Sequence, residues 1–254
     1  MADINTVIND TAPFYTQGNI VHFIKNESER PFWSKQLESF FVQSNKKLNM
    51  KRNYKTQKRI MTSSPALKRF TDYIASARGV KVDLASGPSG YFSAVLDSLT
   101  EDDLFIATDA CPTVIYAHSQ ACDKDNFYVF DMDLDKKLPF KDSSVDAFSG
   151  NLLNNVNNYA SLLEETYRCL KPNGRLALIE MFFDHGCKTY EHLHSKGEIW
   201  SSFETFVSFC GKVGFTYLGG DITASEKGKM SEGDLYPLDR NDCRTNRTLY
   251  FEKK

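Results

Sequence analysis

The sequence predicts an α/β fold in which a mostly parallel β-sheet is covered by helices on both faces. From Gly79 onwards, short apolar runs alternate with longer segments of helical periodicity. Several runs are apolar at consecutive residues, as expected of strands buried on both faces. Strands that alternate with helices are typical of doubly wound proteins. The 254 residues, 41 % of them apolar, suffice for one such domain with an appendage.

The first 78 residues show helical patterns and no convincing strands. Residues 32–41 place apolar side chains at helical spacing. Ser64 and Pro65 predict a helix start, with a hydroxyl cap and a proline in the first turn, and this helix should reach about Ala77. We therefore predict a helical cap or lid over residues 1–78, on the substrate side, and a sheet domain over residues 79–254.

The sheet domain is predicted to alternate seven strands with four helices. The strands cover residues 80–84, 104–108, 127–130, 145–149, 175–181, 215–219 and 248–251. The helices cover residues 92–99, 113–122, 160–170 and 200–213. The last two strands are separated only by a glycine- and charge-rich stretch, so they can form an antiparallel hairpin at a sheet edge.

Composition argues against several classes of protein. The 31 Lys and Arg residues nearly balance the 33 Asp and Glu residues, which does not suit a surface built throughout for nucleic acid. No apolar run is long enough to span a membrane. The N-terminal residues lack the basic segment followed by an apolar one that is typical of a signal peptide. None of the six cysteines forms a C-x-x-C pair, which indicates reduced thiols in a cytoplasmic protein.

A turn of small residues follows the first predicted strand. Residues 83–90 read Asp-Leu-Ala-Ser-Gly-Pro-Ser-Gly, and ligands of doubly wound folds bind beyond the carboxyl ends of the strands. Asp109 ends the second strand, where a carboxylate can accept both hydroxyls of a ribose. Ala85-x-Gly87-x-x-Gly90 with Asp109 is also compatible with a dinucleotide site, so a nicotinamide enzyme is one alternative. A second alternative is that residues 83–90 form an ordinary turn and that Asp109 caps the next helix.

Several blocks between Gly79 and Lys254 resemble, in order, class I S-adenosylmethionine-dependent methyltransferases. Residues 83–90 resemble the family's first motif, with Ala85 at its usual first glycine and Ser89 at its third. Residues 106–110, 133–147 and 171–176 resemble its second strand end, its adenine-proximal stretch with the fourth strand, and its turn into the fifth. The resemblance implies a Rossmann-like, seven-stranded, mostly parallel sheet with a reversed last strand, and S-adenosylmethionine as the cofactor.

The resemblance also implies roles for matching residues. Asp83 would meet the methionine amino group, directly or through water, and Asp109 would bind the ribose hydroxyls. Asp133 would lie at the adenine, with Asp131 as the alternative after a two-residue slip. The predicted cofactor-binding residues are Asp83, Ala85, Ser86, Gly87, Gly90, Asp109, Ala110, Met132, Asp133, Leu134, Asn151 and Leu152.

An aromatic lid is predicted from the N-terminal segment. Methyl transfer in line mainly requires alignment of the acceptor and exclusion of water, and aromatic faces can hold a sulfonium or a cationic acceptor. We therefore predict that Phe14, Tyr15 and the helix around Trp33 cover the pocket, with Tyr15 as a candidate catalytic residue. The alternative is that these aromatics belong to the core of the cap.

Two further candidates follow the fifth predicted strand. Asp184 and His185 could orient the acceptor or remove its proton, the alternative being a solvated loop. No metal site is predicted, because the spacing of His185, Cys187, His192 and His194 matches no standard ligand set.

The basic run over residues 46–69 holds nine Lys or Arg and no acid. It could contact a phosphate, a carboxylate or an RNA backbone, although a solvated helix face is the simpler interpretation. The sequence as a whole predicts S-adenosylmethionine-dependent methylation of a small molecule, with no nucleic-acid or membrane partner. The alternatives are other chemistry on the same cofactor, such as cyclisation or transfer of another group, and a non-catalytic binding subunit.

Overall fold

A computed structural model describes residues 4–45, 47–229 and 236–254 of the chain. The strands within these residues all belong to one sheet. In chain order they are β1 Tyr15–Gln17, β2 Ile20–His22, β3 Val80–Leu84, β4 Leu104–Asp109, β5 Phe127–Asp131, β6 Val145–Asn151, β7 Leu170–Phe183, β8 Phe215–Lys227 and β9 Cys243–Lys253.

The strand order across the sheet is β1-β2-β5-β4-β3-β6-β7-β9-β8. Neighbours from β2 to β7 run parallel, whereas β9 runs antiparallel to both β7 and β8. The reversed last strand and the terminal hairpin are therefore confirmed. The expected total of seven strands is wrong, because the sheet contains nine within the described residues alone.

The two additional strands form a hairpin in the segment predicted to be helical. β1 pairs antiparallel with β2, and β2 lies parallel to β5 at the edge of the sheet. Each strand is only three residues long, which is too short for an alternating pattern to be visible in the sequence. A description of residues 1–78 as purely helical is therefore wrong.

Five of the seven α-helices of the described residues follow predicted positions, and two, over Met50–Met61 and Lys188–Ser195, are additions. Ser64 accepts a hydrogen bond from the Leu67 amide and caps the predicted third helix. The segment Tyr91–Ser98 is a 3-10 helix, and the short helix after β7 was not predicted. The α-helices are α1 Phe32–Ser44, α2 Met50–Met61, α3 Pro65–Ala75, α4 Pro112–Ser119, α5 Tyr159–Cys169, α6 Lys188–Ser195 and α7 Phe203–Val213.

The core lies on both faces of the sheet. Successive residues of β4 enter different clusters: Ile106 packs with α5 and α7, whereas Phe105 packs with α2, α3 and the 91–98 helix. Helices α2 and α3 thus cover one face of the sheet, and the division predicted at residue 78 runs through a shared core. No helix of the described residues has the length and apolar character needed to cross a membrane.

Candidate active site

A cavity of about 240 Å³ opens beyond the carboxyl ends of β3, β4 and β6. This is the edge at which doubly wound sheets bind ligands. Its walls come from the glycine turn after β3, the end of β4, the segment after β6, and helix α1. The lining residues are Trp33, Leu37, Ala85, Ser86, Gly87, Pro88, Ser89, Tyr91, Asp109, Asn151, Leu152, Leu153, Asn155 and Val156.

The glycine turn has an unusual backbone conformation. Ala85, Gly87 and Gly90 all have positive φ, at 47°, 60° and 67°. A Cβ atom on Gly90 would lie 2.6 Å from the Tyr54 ring, so this position requires glycine. Ala85 accepts the left-handed region despite its Cβ, and its amide donates to the Thr108 hydroxyl. The turn thus places several backbone groups against the cavity.

Asp109 is almost completely buried at the end of β4, and it lines the cavity. Its Oδ2 accepts from the Gly87 amide at 2.9 Å, and its Oδ1 accepts from the amides of Ala110 and Cys111 at 2.8 Å. Burial raises the pKa of Asp109 to about 6, although these amides favour the charged form. The carboxylate is therefore fixed beside the turn, as recognition of a ribose diol requires.

Asp83 lies under the turn and does not line the cavity. Its carboxylate accepts from the hydroxyls of Ser86 and Ser149, at 2.8 and 2.6 Å. Burial raises the pKa of Asp83 to about 7, opposed by these hydroxyls and reinforced by the charge of Asp109. A cation bound above the turn would favour the ionised carboxylate.

The two candidates for the adenine-proximal acid have different surroundings. Asp131 is fully buried, and its oxygens accept two hydrogen bonds from Arg30 and contact Nδ1 of His22 at 2.8 Å. Asp133 instead borders, with Met132, a second cavity of about 270 Å³ between residues 132–139 and the N-terminal segment. Asp131 is thus saturated by ion-pair partners, whereas Asp133 borders the cavity, accepts from the Asp135 amide at 3.0 Å and lies 3.7 Å from Lys136. Leu134 lies in the core.

Helix α1 lies across the end of β4. Arg30, just before α1, and Ser34 both donate to the Ala110 carbonyl, at 2.6 and 2.5 Å. Glu38 accepts from the amide and the hydroxyl of Thr113, at 2.9 and 2.8 Å. These bonds hold α1 in an orientation that puts Trp33 into the cavity wall.

The other predicted lid residues lie elsewhere. Tyr15 is exposed on β1, where its ring stacks on His22 at a centroid distance of 4.5 Å. Phe14 packs against Phe23 at 5.8 Å. Neither Phe14 nor Tyr15 lines the cavity beside the glycine turn. Of the predicted lid, the structure brings only the helix around Trp33 to this cavity.

The segment after β6 forms the opposite wall. Asn151 and Leu152 line the cavity, and Leu152 adopts a left-handed conformation with φ 52°. Glu180 is buried behind this segment and accepts from the Tyr159 hydroxyl at 2.5 Å and the Leu153 amide at 3.2 Å. Burial raises the pKa of Glu180 to about 7. Sequence reasoning missed Glu180 because it lies within the apolar run of a predicted strand.

Asp184 and His185 lie in the loop after β7 and do not line the cavity. The His185 side chain is 63 % exposed and faces Glu204 at 3.4 Å. The Asp184 amide donates to the Cys243 carbonyl. In the described part of the chain, no group of three or more His, Cys, Asp or Glu side chains could hold a metal ion.

Most residues of the basic run lie on α2. Lys46 is outside the described residues. Lys58 pairs with Asp97 at 2.6 Å and Arg69 with Asp221 at 3.5 Å, both on the surface. Such pairs are typical of a solvated helix face.

Comparisons with known proteins agree with this architecture. Residues 82–178 match a family model described as a methyltransferase domain. A search of curated proteins found no match.

Solved structures share the fold at low identity. A Bacillus halodurans C-125 protein provisionally described as a methyltransferase has 13% identity and a TM-score of 0.57, over 75% of this chain and 99% of its own. Geranyl diphosphate C-methyltransferase from Streptomyces coelicolor, solved with S-adenosyl-L-homocysteine, has 12% identity and a TM-score of 0.54, over 73% and 76%. The [4+2]-cyclase SpnF has 15% identity and a TM-score of 0.53, over 74% and 81%.

The domain match and the strand order favour the methyltransferase interpretation over the nicotinamide alternative. The match covers the glycine turn, Asp109 and the strands that surround the cavity. Residues 82–178 therefore form the methyltransferase domain of an enzyme whose cofactor is S-adenosylmethionine.

Proposed function

We propose that this protein methylates an uncharged small molecule in the cavity between the glycine turn and helix α1. The observation that carries the proposal is the position of Asp109, which lines the cavity and contacts the Gly87 amide at 2.9 Å. A carboxylate beside a left-handed turn suits the ribose of the cofactor. When bound, S-adenosylmethionine supplies a methyl group on a positively charged sulfur.

The charge of the cavity wall limits the acceptor. None of the lining residues described above is a Lys, Arg or His, and Asp109 is the acidic side chain among them. A carboxylate or phosphate of the acceptor would be buried there without a counter-charge, which is costly. The wall is largely apolar, with Trp33, Leu37 and Val156 among its side chains. An uncharged acceptor with apolar surface fits these walls.

The same wall limits the chemistry. The oxygens of Asp109 accept from three backbone amides and are assigned to the ribose, so they are not free to take a proton from the acceptor. The acceptor is therefore proposed to be nucleophilic without help from a protein base, as a free amine is. Alignment and exclusion of water by α1 would supply the rate enhancement. The catalytic roles of Tyr15, Asp184 and His185 stay predictions.

The experiment supplies methyl-labelled S-adenosylmethionine and, separately, the small-molecule, protein and RNA fractions of a cell extract. Label in an uncharged small molecule, with release of S-adenosylhomocysteine, would support the proposal. Label in protein or RNA, or in an anionic small molecule, would contradict it. Release of methylthioadenosine would indicate other chemistry on the cofactor.

A binding measurement separates the cofactor from the acceptor. Calorimetry with S-adenosylhomocysteine needs no acceptor, and we expect Asp109→Ala to bind it at least about tenfold more weakly than wild type, as loss of a charged hydrogen-bond partner implies. A wild-type protein that binds but transfers no label would favour the non-catalytic alternative. The predicted cytoplasmic location stays a prediction.

A further inference from the structure

We propose that His118, held in place by Tyr54, is a positioning residue that fixes the glycine turn from behind and thereby sets the affinity for the cofactor. Neither side chain lines the cavity, so both would act through the turn. The inference rests on the assignment of this turn to S-adenosylmethionine.

The hydrogen bonds of His118 define its tautomer. The side chain is fully buried on α4, with Nε2 2.9 Å from the Gly87 carbonyl and Nδ1 2.7 Å from the Tyr54 hydroxyl. A carbonyl oxygen can only accept, so Nε2 carries the proton and donates it to Gly87. Nδ1 then accepts from Tyr54. Both ring nitrogens are therefore satisfied by a neutral imidazole of one defined tautomer.

The environment of the ring supports this arrangement. Burial lowers the pKa of His118 to about 4, so the ring is neutral at physiological pH. The ring also packs against Phe92 at a centroid distance of 5.3 Å, which limits its rotation. His118 is thus a rigid donor aimed at the Gly87 carbonyl.

Gly87 is held on both sides by these contacts. Its amide donates to Asp109 at 2.9 Å, and its carbonyl accepts from His118. Its φ of 60° is a conformation that glycine adopts readily and that would otherwise be one of several accessible to it. His118 therefore links the conformation of the turn to the carboxylate proposed to bind ribose.

Helix α2 supports the same turn at two further residues. The Asn53 side-chain amide donates to the Pro88 carbonyl at 2.8 Å. The Tyr54 ring fills the space beside Gly90, where a Cβ atom would lie 2.6 Å from it. Helix α2, from the predicted cap, thus contacts the turn at Pro88 and Gly90, although none of its residues lines the cavity.

The test uses two substitutions of His118 that differ in where they place a donor. Gln carries its amide nitrogen near the position of Nε2, whereas the shorter Asn carries its polar atoms near Nδ1 and cannot reach Gly87. We expect His118→Asn to bind S-adenosylhomocysteine about tenfold more weakly than wild type, the effect of one lost hydrogen bond at a buried carbonyl. We expect His118→Gln to stay within about threefold of wild type. His194→Asn, at an exposed histidine, is the control.

The test compares the affinities of His118→Asn and His118→Gln for S-adenosylhomocysteine. If His118 had only a structural role, each variant would lose affinity in proportion to its loss of stability. Unfolding midpoints are measured alongside. Equal affinities of the Gln and Asn variants would overturn the proposal, whatever their midpoints. If wild type itself does not bind S-adenosylhomocysteine, the proposed function fails and not this inference.

A measurement on the wild-type protein covers the case in which the variants do not fold. Nitrogen-15 NMR of labelled histidine distinguishes the two neutral tautomers and the charged ring. We expect one buried histidine to be neutral and protonated at Nε2 at neutral pH, with its signal perturbed by S-adenosylhomocysteine. For His118, a proton on Nδ1, a charged ring, or a signal that does not respond to the ligand would contradict the proposal.

Discussion

Two buried carboxylates lie at the base of the cavity, and their properties come from their immediate contacts. Asp109 is bound by backbone amides and Asp83 by two serine hydroxyls. Burial raises the pKa of both, and the charge of Asp109 contributes to the shift at Asp83. Without a ligand, the tighter proton binding of both groups in the folded state therefore costs stability as pH rises through about 6 for Asp109 and about 7 for Asp83, and a cation in the cavity would relieve this cost.

Asp83 should leave a signature in the pH dependence of stability. Its folded pKa, about 7, exceeds its ordinary value of 3.8, so the folded state binds the proton more tightly and stability is lost as pH rises through about 7. Asp83→Asn removes this loss. We expect the free energy of unfolding of the variant, relative to wild type, to rise by at least about 1 kcal/mol between about pH 5 and pH 8. Urea unfolding measures it, with the exposed Asp125→Asn as control; a constant difference would contradict the prediction.

Asp131 and Asp133 should fail in different ways when replaced. Asp131→Asn leaves Arg30 without its buried carboxylate, so we expect a loss of about 3 kcal/mol or more in the free energy of unfolding. Asp133→Asn, facing a cavity, should change stability by less than about 1 kcal/mol and weaken S-adenosylhomocysteine binding. Chemical unfolding and calorimetry on both variants check this. Weaker binding in a stable Asp131→Asn would assign the adenine to Asp131.

Helix α1 is the element whose position depends most on polar contacts. Its links to β4 and α4 are hydrogen bonds that Arg30 and Ser34 donate and that Glu38 accepts, while Phe41 packs in a small apolar cluster with Cys111 and Val114. The free energy needed to separate α1 from the sheet should therefore be lower than that for α2 or α3, because the apolar faces of α2 and α3 lie in a large core.

Trp33 should matter for turnover more than for folding. It lines the cavity on a partly exposed helix face, so Trp33→Ala should lower kcat/KM about tenfold or more without unfolding the protein. Steady-state kinetics with the identified acceptor, together with circular dichroism, test this. Unchanged turnover in a folded variant would show that α1 is no lid.

Tyr15→Phe is the comparison for the lid. It keeps the ring that stacks on His22 and removes only the hydroxyl. A fall in turnover would support the catalytic role predicted for Tyr15, and unchanged turnover would leave the lid to α1.

The predictable elements are those whose signal is local. Strands β3 to β9 can be recognised in the sequence as apolar runs, and Ser64 and Pro65 predict the start of α3. The glycine turn and Asp109 could be placed because their spacing along the chain is itself the signal. The aromatic content predicts the helix around Trp33 as part of the lid, whereas the position of Glu180 behind the cavity wall depends on packing between distant segments and could not be predicted. The hairpin β1–β2 was missed for the same reason: its contacts with β5 are non-local.

At the scale of the whole molecule, the N-terminal residues complete the sheet. Val7 and Ile8 pack in the core beside Phe140, and Ile20 and Val21 are buried where β2 joins β5. The three-residue β1 then forms a short outer edge, which presents few unpaired backbone groups to other chains.

Removal of residues 1–22 should therefore destabilise the whole protein. It exposes the edge of β5 and leaves Asp131 without the His22 partner. We expect a lower unfolding midpoint and concentration-dependent aggregation. Calorimetric unfolding and light scattering measure both. As a control, Tyr15→Ala removes an exposed ring and should leave the midpoint within a few degrees of wild type.

The pairing of β2 with β5 has a consequence for how the chain is made. His22 and Asp131 are separated by 109 residues, so the hairpin leaves the ribosome long before its partner strand exists. Until then its apolar side chains have no sheet to join, and closing so long a loop is slow compared with forming local helices. During synthesis, the first strands to emerge must wait for the middle of the chain, and the earliest part of the protein to be translated takes its place only after the nascent sheet has formed.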